Sequence, residues 1–325
     1  MLNSNMDVRY MAAAIALSER GRGRTGDNPN VGCLIVKNGR IVGRGWTQPG
    51  GRPHAEAMAL AQAGKAAKGA DIYVTMEPCA HKSKRGPTCV DLVKAAAPAR
   101  VIVATLDIDE RTRRQGIDRL GDSGISVSVG LLEQQAHRAM AGFFARMEKG
   151  RPHVTLKLAM SLDGCIAKAD GTSKWITGDR ARAHAHLERA RCDAILVGAG
   201  TVAADNPSLD VRLMGLEDCC PIPVVLGKAE TGDHWIEIAE PEAIAGLDKT
   251  NWLLVEGGAA TAASFLKADL VDRLLLYRAP IIIGGGLQGI GDIGLGSLDA
   301  AHDQWIRLDR RDLGEDMLEI YERAA

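Results

Sequence analysis

Residues 71–90 read DIYVTMEPCAHKSKRGPTCV, and their pattern predicts the architecture of the first half of the chain. Its apolar start predicts a strand over Asp71–Met76. The segment 88–97 predicts a helix, and the apolar run 100–106 predicts a second strand. A strand, a helix and a strand in this order are typical of an α/β layer fold. The Glu-Pro-Cys triplet therefore follows a strand, and Cys89 lies at the start of a helix.

The residues before this stretch extend the same pattern. Residues 8–16 place apolar side chains on one helical face, and 31–36 form an apolar strand. Asn38-Gly39 follows this strand and is the residue pair typical of a type I′ hairpin turn. Pro53 precedes an alanine-rich segment, which predicts a helix over 54–67 with His54 in its first turn.

A polar segment at 148–152 predicts a join between two domains, 1–148 and 152–325. A chain of 325 residues is longer than one hydrophobic core usually spans. After the join the pattern starts again, which predicts a second α/β set. It consists of a helix over 180–191 and strands over 154–159, 193–197, 223–226, 252–255, 274–277 and 281–283.

Composition excludes several classes of protein. The 40 basic and 41 acidic residues give a net charge of -1, and aromatic residues make up only 4%. A nucleic-acid-binding chain is normally more basic and richer in stacking side chains. No apolar run reaches the ~18–20 residues of a membrane span, and the start lacks a secretory signal. We therefore expect a cytoplasmic protein without nucleic-acid or membrane partners, whose seven cysteines are thiols.

The motifs of the first half predict a zinc site. His54, Cys79 and Cys89 can supply one imidazole and two thiolates near helix starts, where positive partial charge favours the thiolate. Three such ligands leave the fourth position of a tetrahedral zinc ion for water. Glu56 is then suited to move the protons of a hydrolytic deamination. A structural zinc site, with His81 as a fourth protein ligand, is the alternative.

The order H-x-E, P-C and a second Cys is that of zinc nucleobase deaminases. Here nine residues separate Cys79 from Cys89, and residues 28–33 read NPNVGC. With these features the segment resembles the deaminase half of the bifunctional deaminase/reductase family of riboflavin biosynthesis. The resemblance implies a cytidine-deaminase-like α/β/α domain with Asn28 in the pyrimidine pocket. It also implies that Lys84 or Arg85 contacts the substrate phosphate.

Glycine-rich turns in the second half allow two readings. Residues 198–203 fit G-x-G-x-x-A after a strand, as in a Rossmann phosphate turn, but Asn206-Pro207 follows too soon for the long helix that such a turn needs. Glu256-Gly257-Gly258 instead lies between a strand and a predicted helix, where glycines let amides approach a phosphate.

The second half also resembles the reductase half of the same family. The matching blocks are 157–164 (KLAMSLDG), 173–177 (SKWIT), 193–198 (DAILVG) and 256–259 (EGGA). The resemblance implies a fold similar to dihydrofolate reductase, and NADPH as the cofactor. It places NADPH against Ala159, Trp175, Thr201, Asp205, Gly257, Gly258, Ala259 and Ala260. It places the substrate against Ser173, Arg189, Leu209, Arg212 and Glu256. Lys157 would orient or polarise the sugar oxygens, and Arg212 would pair with the phosphate.

The expected function is therefore zinc-dependent deamination of a pyrimidine ribosyl phosphate, followed by NADPH-dependent reduction of its ribosyl group, in a homo-oligomer that we expect to be a dimer. Two alternatives remain. One is a nucleic-acid-editing deaminase with an accessory domain. The other is a deaminase with an inactive reductase half, because Gly227-Lys228 stands where the family usually has Asp-Ser.

Overall fold

The computed structural model describes residues 5–81, 86–109 and 113–324. The chain forms two compact units, Met1–Gly150 and Arg151–Ala325, so the division falls inside the polar segment 148–152. Within the described ranges, every helix is too short or too polar to traverse a lipid bilayer.

The first unit is an α/β layer structure. Its described helices and strands are α1 (Asn5–Ser18), β1 (Gly32–Lys37), β2 (Arg40–Trp46), α2 (Ala55–Ala63), β3 (Asp71–Met76), α3 (Cys89–Ala96), β4 (Arg100–Thr105), α4 (Gln115–Gly121), β5 (Ser126–Val129), α5 (Glu133–Ala139) and α6 (Ala141–Lys149). β1 pairs antiparallel with β2 and β3, whereas β3, β4 and β5 pair in parallel. The strand order is β2-β1-β3-β4-β5.

The core of this unit lies on the central strands. Ile35 of β1 is the partner of Ile72 in β3, and Ile72 is the partner of Val101 in β4. All three side chains are fully buried. Burying a side chain of this size stabilises the fold by ~1.5–3 kcal/mol. The parallel strands β3 and β4 end at the same edge, and their following loops therefore lie side by side.

Glycine residues shape both the β1–β2 hairpin and the packing of α2 on β2. Asn38 and Gly39 have φ of 49° and 72°, the left-handed pair of a type I′ turn, so β1 turns directly into β2. A Cβ at Gly45 would lie 2.0 Å from the carbonyl oxygen of Ala55, so glycine alone allows α2 to pack this closely on β2. The predicted helix over 54–67 is α-helical only to Ala63, and His54 is its N-cap residue rather than part of its first turn.

The second unit is built on a longer mixed sheet. Its described helices and strands are β6 (His153–Met160), β7 (Cys165–Ala167), α7 (Asp179–Arg189), β8 (Ala194–Gly198), α8 (Ala199–Asp205), β9 (Ile222–Leu226), β10 (Ile236–Ile238), β11 (Trp252–Val255), α9 (Ala259–Lys267), β12 (Arg273–Arg278), β13 (Leu287–Gln288), β14 (Trp305–Leu313) and β15 (Asp316–Arg323). The main sheet has the order β10-β9-β8-β11-β6-β12-β15-β14. It is parallel from β10 to β12, and β15 and β14 continue it antiparallel.

The core of the second unit lies between this sheet and α9. Leu156 of β6 and Val255 of β11 are Cα partners, and both are fully buried. Phe265 of α9 is fully buried in the same cluster. The carboxyl ends of β6, β8 and β11 therefore meet at one edge, where ligand sites of parallel sheets usually lie.

One predicted strand of the second unit is wrong. Residues 281–283 are three isoleucines, whose β-branched side chains favour a strand, but the structure has no strand there. The amides of Ile283 and Gly284 instead donate to the Asp163 carboxylate at 3.1 and 2.8 Å. These amides are satisfied by a side chain, and the segment runs as an exposed loop.

Candidate active sites

The predicted metal ligands converge at one edge of the first unit. His54 caps α2, Cys89 is the first residue of α3, and Cys79 lies three residues beyond β3. The Nδ1 atom of His54 is 3.2 Å from the Sγ atom of Cys89 and 3.5 Å from the Sγ atom of Cys79. The Cys89 amide donates to the Cys79 sulfur at 3.4 Å.

This donor set fits a tetrahedral zinc ion. Bonds of about 2.3 Å to sulfur and about 2.05 Å to nitrogen place the two atoms about 3.6 Å apart in a tetrahedron, within about 0.4 Å of both separations. Among the described residues, His54, Cys79 and Cys89 form a metal-binding group whose donor atoms all lie within 4.8 Å of one another. His81 lies outside this group, so the geometry does not support the alternative with a fourth protein ligand.

The two thiols share their hydrogen bonds unequally. A hydrogen bond from the Cys89 side chain lowers the pKa of Cys79 to about 4, and His54 and the Cys89 amide add to this effect. The pKa of Cys89 is raised by the same hydrogen bond and by burial. The Cys79 thiol therefore ionises before the Cys89 thiol, and a zinc ion would bind both sulfurs as thiolates.

Glu56 lies in the first turn of α2 and is only 3% exposed. Burial raises its pKa to about 7, and the negative charge of Cys79 adds to the rise, while His54 opposes it. A carboxyl group with a pKa near neutrality can both accept and donate a proton, which is what general acid–base catalysis requires.

A cavity of about 200 Å³ opens onto this group. Asn28, the residue predicted for the pyrimidine pocket, lines it together with Glu56, and Asp107 and Asp109 lie on its wall. The predicted phosphate contacts Lys84 and Arg85 lie outside the described residues. The cavity can therefore hold an amino-substituted ring beside the metal ligands, with acidic oxygens as hydrogen-bond acceptors.

Sequence reasoning missed Glu77, which also lines this cavity. The motif Glu-Pro-Cys drew attention to the cysteine, but the Glu77 side chain is only 7% exposed and accepts hydrogen bonds from the backbone around α4. The sequence did contain a signal for this residue, because Glu77 directly follows an apolar strand. An acidic side chain at such a position is expected to be buried and to need hydrogen-bond or charge partners.

Most residues predicted for the reductase half line one cavity of about 330 Å³ in the second unit. They are Lys157, Ala159, Ser173, Trp175, Arg189, Thr201, Asp205, Leu209, Arg212, Glu256, Gly257 and Gly258. Ala259 and Ala260 do not line it, because they already belong to the first turn of α9. The geometry thus gives them no direct contact with this cavity.

A buried ion cluster forms the floor of this cavity. Arg189 donates to both oxygens of Glu256, at 2.8 and 3.0 Å, and Lys157 donates to the same carboxylate at 3.3 Å. Burial alone would raise the pKa of Glu256, but the two cations outweigh it and hold the pKa at about 2. The carboxylate is therefore ionised at neutral pH and fixes the direction of both cationic groups.

The turn after β11 suits a phosphate or nucleotide group. A Cβ at Gly257 would lie 2.4 Å from the Cβ of Thr261, so the turn excludes any larger residue. Gly258 caps α9, and a Cβ there would meet no atom within 4 Å, so the start of the helix is open. Free amides at a helix start attract anions, and this part of the site fits a dinucleotide phosphate.

Exposed groups form the rim of the cavity. Arg212 is 62% exposed, and its Nε lies 3.4 Å from Asp210. The Arg182 guanidinium stacks 4.7 Å above the ring of Trp175. His186 also lines the cavity, and its Nδ1 accepts from the Arg212 amide at 3.3 Å. Sequence reasoning missed Arg182 and His186, although Arg182, His186 and Arg189 follow one another at helical spacing on α7.

Two protein-family models match the chain. The cytidine and deoxycytidylate deaminase zinc-binding region matches residues 4–105, and the RibD C-terminal domain matches residues 152–311. Each match lies within one structural unit.

Similar proteins align over nearly the whole chain. The riboflavin biosynthesis protein RibD of Aquifex aeolicus is 36% identical over 98% of this chain and 99% of its own length. That of Mycobacterium tuberculosis is 40% identical over 90% of each. The structure of Acinetobacter baumannii RibD gives a TM-score of 0.87 at 32% identity and covers 99% of both chains.

A Thermotoga maritima structure adds a second solved relative. It is described as a diaminohydroxyphosphoribosylaminopyrimidine deaminase/5-amino-6-(5-phosphoribosylamino)uracil reductase, with a TM-score of 0.86, 31% identity and coverage of 98% of this chain and 99% of that one. These matches extend through both halves and confirm the expected order of an α/β deaminase domain and an α/β reductase domain. The chain therefore belongs to the RibD family and is a bifunctional deaminase and reductase of riboflavin biosynthesis.

Proposed function

We propose that the first unit deaminates 2,5-diamino-6-ribosylamino-4(3H)-pyrimidinone 5′-phosphate and that the second unit reduces the ribosyl group of the product to ribityl with NADPH. The observation that carries the proposal is the convergence of His54, Cys79 and Cys89 beside the buried Glu56. The Thermotoga maritima relative, whose description names both pyrimidine activities, supports the choice of substrate.

In the deaminase site, His54, Cys79 and Cys89 would hold zinc, which supplies Lewis-acid activation of a water molecule when bound. Glu56 would accept one proton from this water and deliver it to the ring nitrogen as the C–O bond forms, and would then carry the second proton of the added oxygen to the leaving amine as the C–N bond breaks. The amine then leaves as ammonia, and a ring carbonyl takes its place. Asn28 and the wall carboxylates would accept hydrogen bonds from the amino groups of the ring.

In the reductase site, NADPH would supply the hydride. Glu256 holds the Lys157 ammonium in the cavity, where it can donate a hydrogen bond to the sugar oxygen that gains a proton as the carbon gains hydride. Ser173 and Leu209 would contact the substrate, and Arg212 on the rim would pair with its phosphate. The cofactor would lie along Ala159, Trp175, Thr201, Asp205 and the Gly257-Gly258 turn, with Ala259 and Ala260 directly behind that turn in α9.

Partners follow from charge and cavity chemistry. Asp27, Glu77, Asp107 and Asp109 line the deaminase cavity, which disfavours a polyanionic strand and supports a small-molecule substrate over nucleic acid. We expect a homodimer in the cytoplasm. Light scattering on the purified chain and fractionation of cell extracts test these two expectations.

The substitution Glu56→Gln tests the division of chemistry between the two units. It keeps size and hydrogen bonding but cannot carry a proton, so ammonia release should fall by at least ~10²–10⁴-fold. Zinc content should remain about one ion per chain, because Glu56 is not a ligand in this assignment. NADPH oxidation with already deaminated substrate should be unchanged.

Glu133→Gln, an exposed change in the same unit, is the matched control and should leave both activities intact. Loss of both activities in a folded, zinc-loaded Glu56→Gln variant would mean that the two reactions share one active site. That result would contradict the proposed division.

A further inference from the structure

The Glu77 carboxylate accepts hydrogen bonds from four backbone amides that lie 30 to 40 residues further along the chain. Its Oε2 atom accepts from the amides of Asp107 and Arg114 at 3.3 and 3.0 Å. Its Oε1 atom accepts from the amides of Gly116 and Ile117 at 2.9 and 3.4 Å. Three of these four amides belong to Arg114, Gly116 and Ile117, so the carboxylate holds the start of α4 in place.

Helix α4 contacts the backbone on both sides of the metal ligand Cys79. A Cβ at Gly116 would lie 2.2 Å from the carbonyl oxygen of Pro78, so the first turn of α4 rests directly on that carbonyl. On the other side, the Arg119 guanidinium donates to the carbonyl oxygen of Ala80 at 2.8 Å. The backbone that carries Cys79 is therefore held before and after the ligand.

The same guanidinium reaches the helix that carries the second thiol. The Nη2 atom of Arg119 lies 2.6 Å from the Asp91 carboxylate. Asp91 is in the first turn of α3, where its amide donates to the Thr88 hydroxyl at 3.1 Å and the hydroxyl donates back to its carboxylate at 2.7 Å. Cys89 lies between Thr88 and Asp91 in the sequence. The Arg119 guanidinium therefore links the segment of Cys89 to the segment of Cys79.

We propose that Glu77 and Arg119 are positioning residues that act through α4 to set the spacing of the Cys79 and Cys89 sulfurs for zinc. The proposal rests on the zinc site of the proposed function. A site ordered before the metal arrives binds it more tightly, because less chain must be fixed on binding. Partners outside the ligand set typically change metal affinity by ~10–100-fold when removed.

Two substitutions in the full-length chain separate this role from general stability. In Glu77→Gln, an NH₂ group replaces one acceptor and faces amides that are themselves donors. Arg119→Met keeps the aliphatic stem and removes both hydrogen bonds at a side chain that is 37% exposed. A thermal melt of each variant checks that it folds. Glu133→Gln is again the exposed control.

Two readouts follow the metal itself. Zinc affinity is measured by competition with a chelator, and the visible spectrum of the Co²⁺-substituted protein reports the geometry of the thiolate ligands. Glu77→Gln and Arg119→Met should each weaken zinc binding by ~10–100-fold and shift the Co²⁺ spectrum, with no change in the control. Because both residues act through α4, the double variant should lose less affinity than the product of the two single losses.

The outcomes distinguish this proposal from the assignment of the site. A wild-type chain without zinc would refute the metal site itself. The positioning role alone would be overturned by a second result. In it, the wild-type chain holds zinc, both variants fold, their zinc affinities stay within about twofold of the wild-type value, and their Co²⁺ spectra match the wild-type spectrum. Lower thermal stability with unchanged zinc affinity would overturn it too, as would strictly multiplicative losses in the double variant.

Discussion

Replacing Glu256 with glutamine should destabilise the second unit by about 3 kcal/mol at neutral pH. Burial would raise the pKa of this carboxyl group, but Lys157 and Arg189 outweigh it and lower the pKa from 4.5 to about 2. Each pKa unit corresponds to about 1.36 kcal/mol, so the ionised side chain contributes about 3 kcal/mol that the neutral amide cannot supply. The substitution also leaves both cations without their shared anion.

The sign of the pH dependence follows from the direction of the shift. The pKa of Glu256 is lower in the folded chain than in the unfolded chain, so its contribution is complete above about pH 4.5 and disappears as the pH falls through about 2. The free energies of unfolding of wild type and Glu256→Gln should therefore differ most at neutral pH and converge in acid. Groups that titrate in both proteins contribute equally to the two free energies of unfolding, so their effects cancel in the difference.

Tryptophan fluorescence can follow this transition during denaturant unfolding. Trp252 is 3% exposed on β11, the strand that leads into Glu256. Of the five tryptophans only Trp46 precedes residue 150, so the fluorescence comes mainly from the second unit. Glu230→Gln, an exposed change in the same unit, is the control and should follow wild type at every pH. A Glu256→Gln deficit that stays constant from neutral pH down to about pH 3 would refute the role assigned to the ion cluster.

Three further predictions concern the metal site, phosphate recognition and packing. Cys89→Ala should lose zinc and His81→Ala should retain it, as measured by metal analysis; the reverse result would reassign the ligands. Arg212→Ala should raise the KM for the phosphorylated substrate by about ten- to a hundred-fold with little change in kcat, and an unchanged KM would remove Arg212 from the site. Gly45→Ala should destabilise the first unit by ~1–3 kcal/mol, because the added Cβ would lie 2.0 Å from the Ala55 carbonyl oxygen. Denaturant titration measures this loss, and a variant as stable as wild type would refute the close packing.

The elements around the metal site could be predicted from the sequence because their signals are local. The strand Asp71–Met76 has the predicted bounds, since a short apolar run ends there at Glu77-Pro78. The helix with Cys89 begins one residue after its predicted start, because Thr88 is the N-cap residue and accepts a hydrogen bond from the Asp91 amide. His54, Cys79 and Cys89 could be named together because each follows a recognisable boundary.

Elements and contacts without a local signal were not predicted. β14 carries charged residues at most positions and lies at the edge of its sheet, so its pattern lacks the alternation of a half-buried strand. Residues 281–283 show the reverse case. Their side chains favour a strand, but this segment pairs with no strand among the described residues. The role of Glu77 depends on amides near residue 116, and that proximity is created only by the fold.

The turn after β9 shows how a departure from the family pattern can leave a site intact. Gly227 has φ of +91° and its amide donates to the Ile238 carbonyl at 2.9 Å, so the chain turns here in a conformation that an aspartate would adopt only with strain. Neither Gly227 nor Lys228 lines the described cavity, whereas Lys157, Arg189 and Glu256 keep their mutual hydrogen bonds. Gly227 therefore occupies a turn that an aspartate at the same position would fit only with strain. The ion cluster that would orient the substrate does not depend on that turn, and this separation argues against an inactive reductase half.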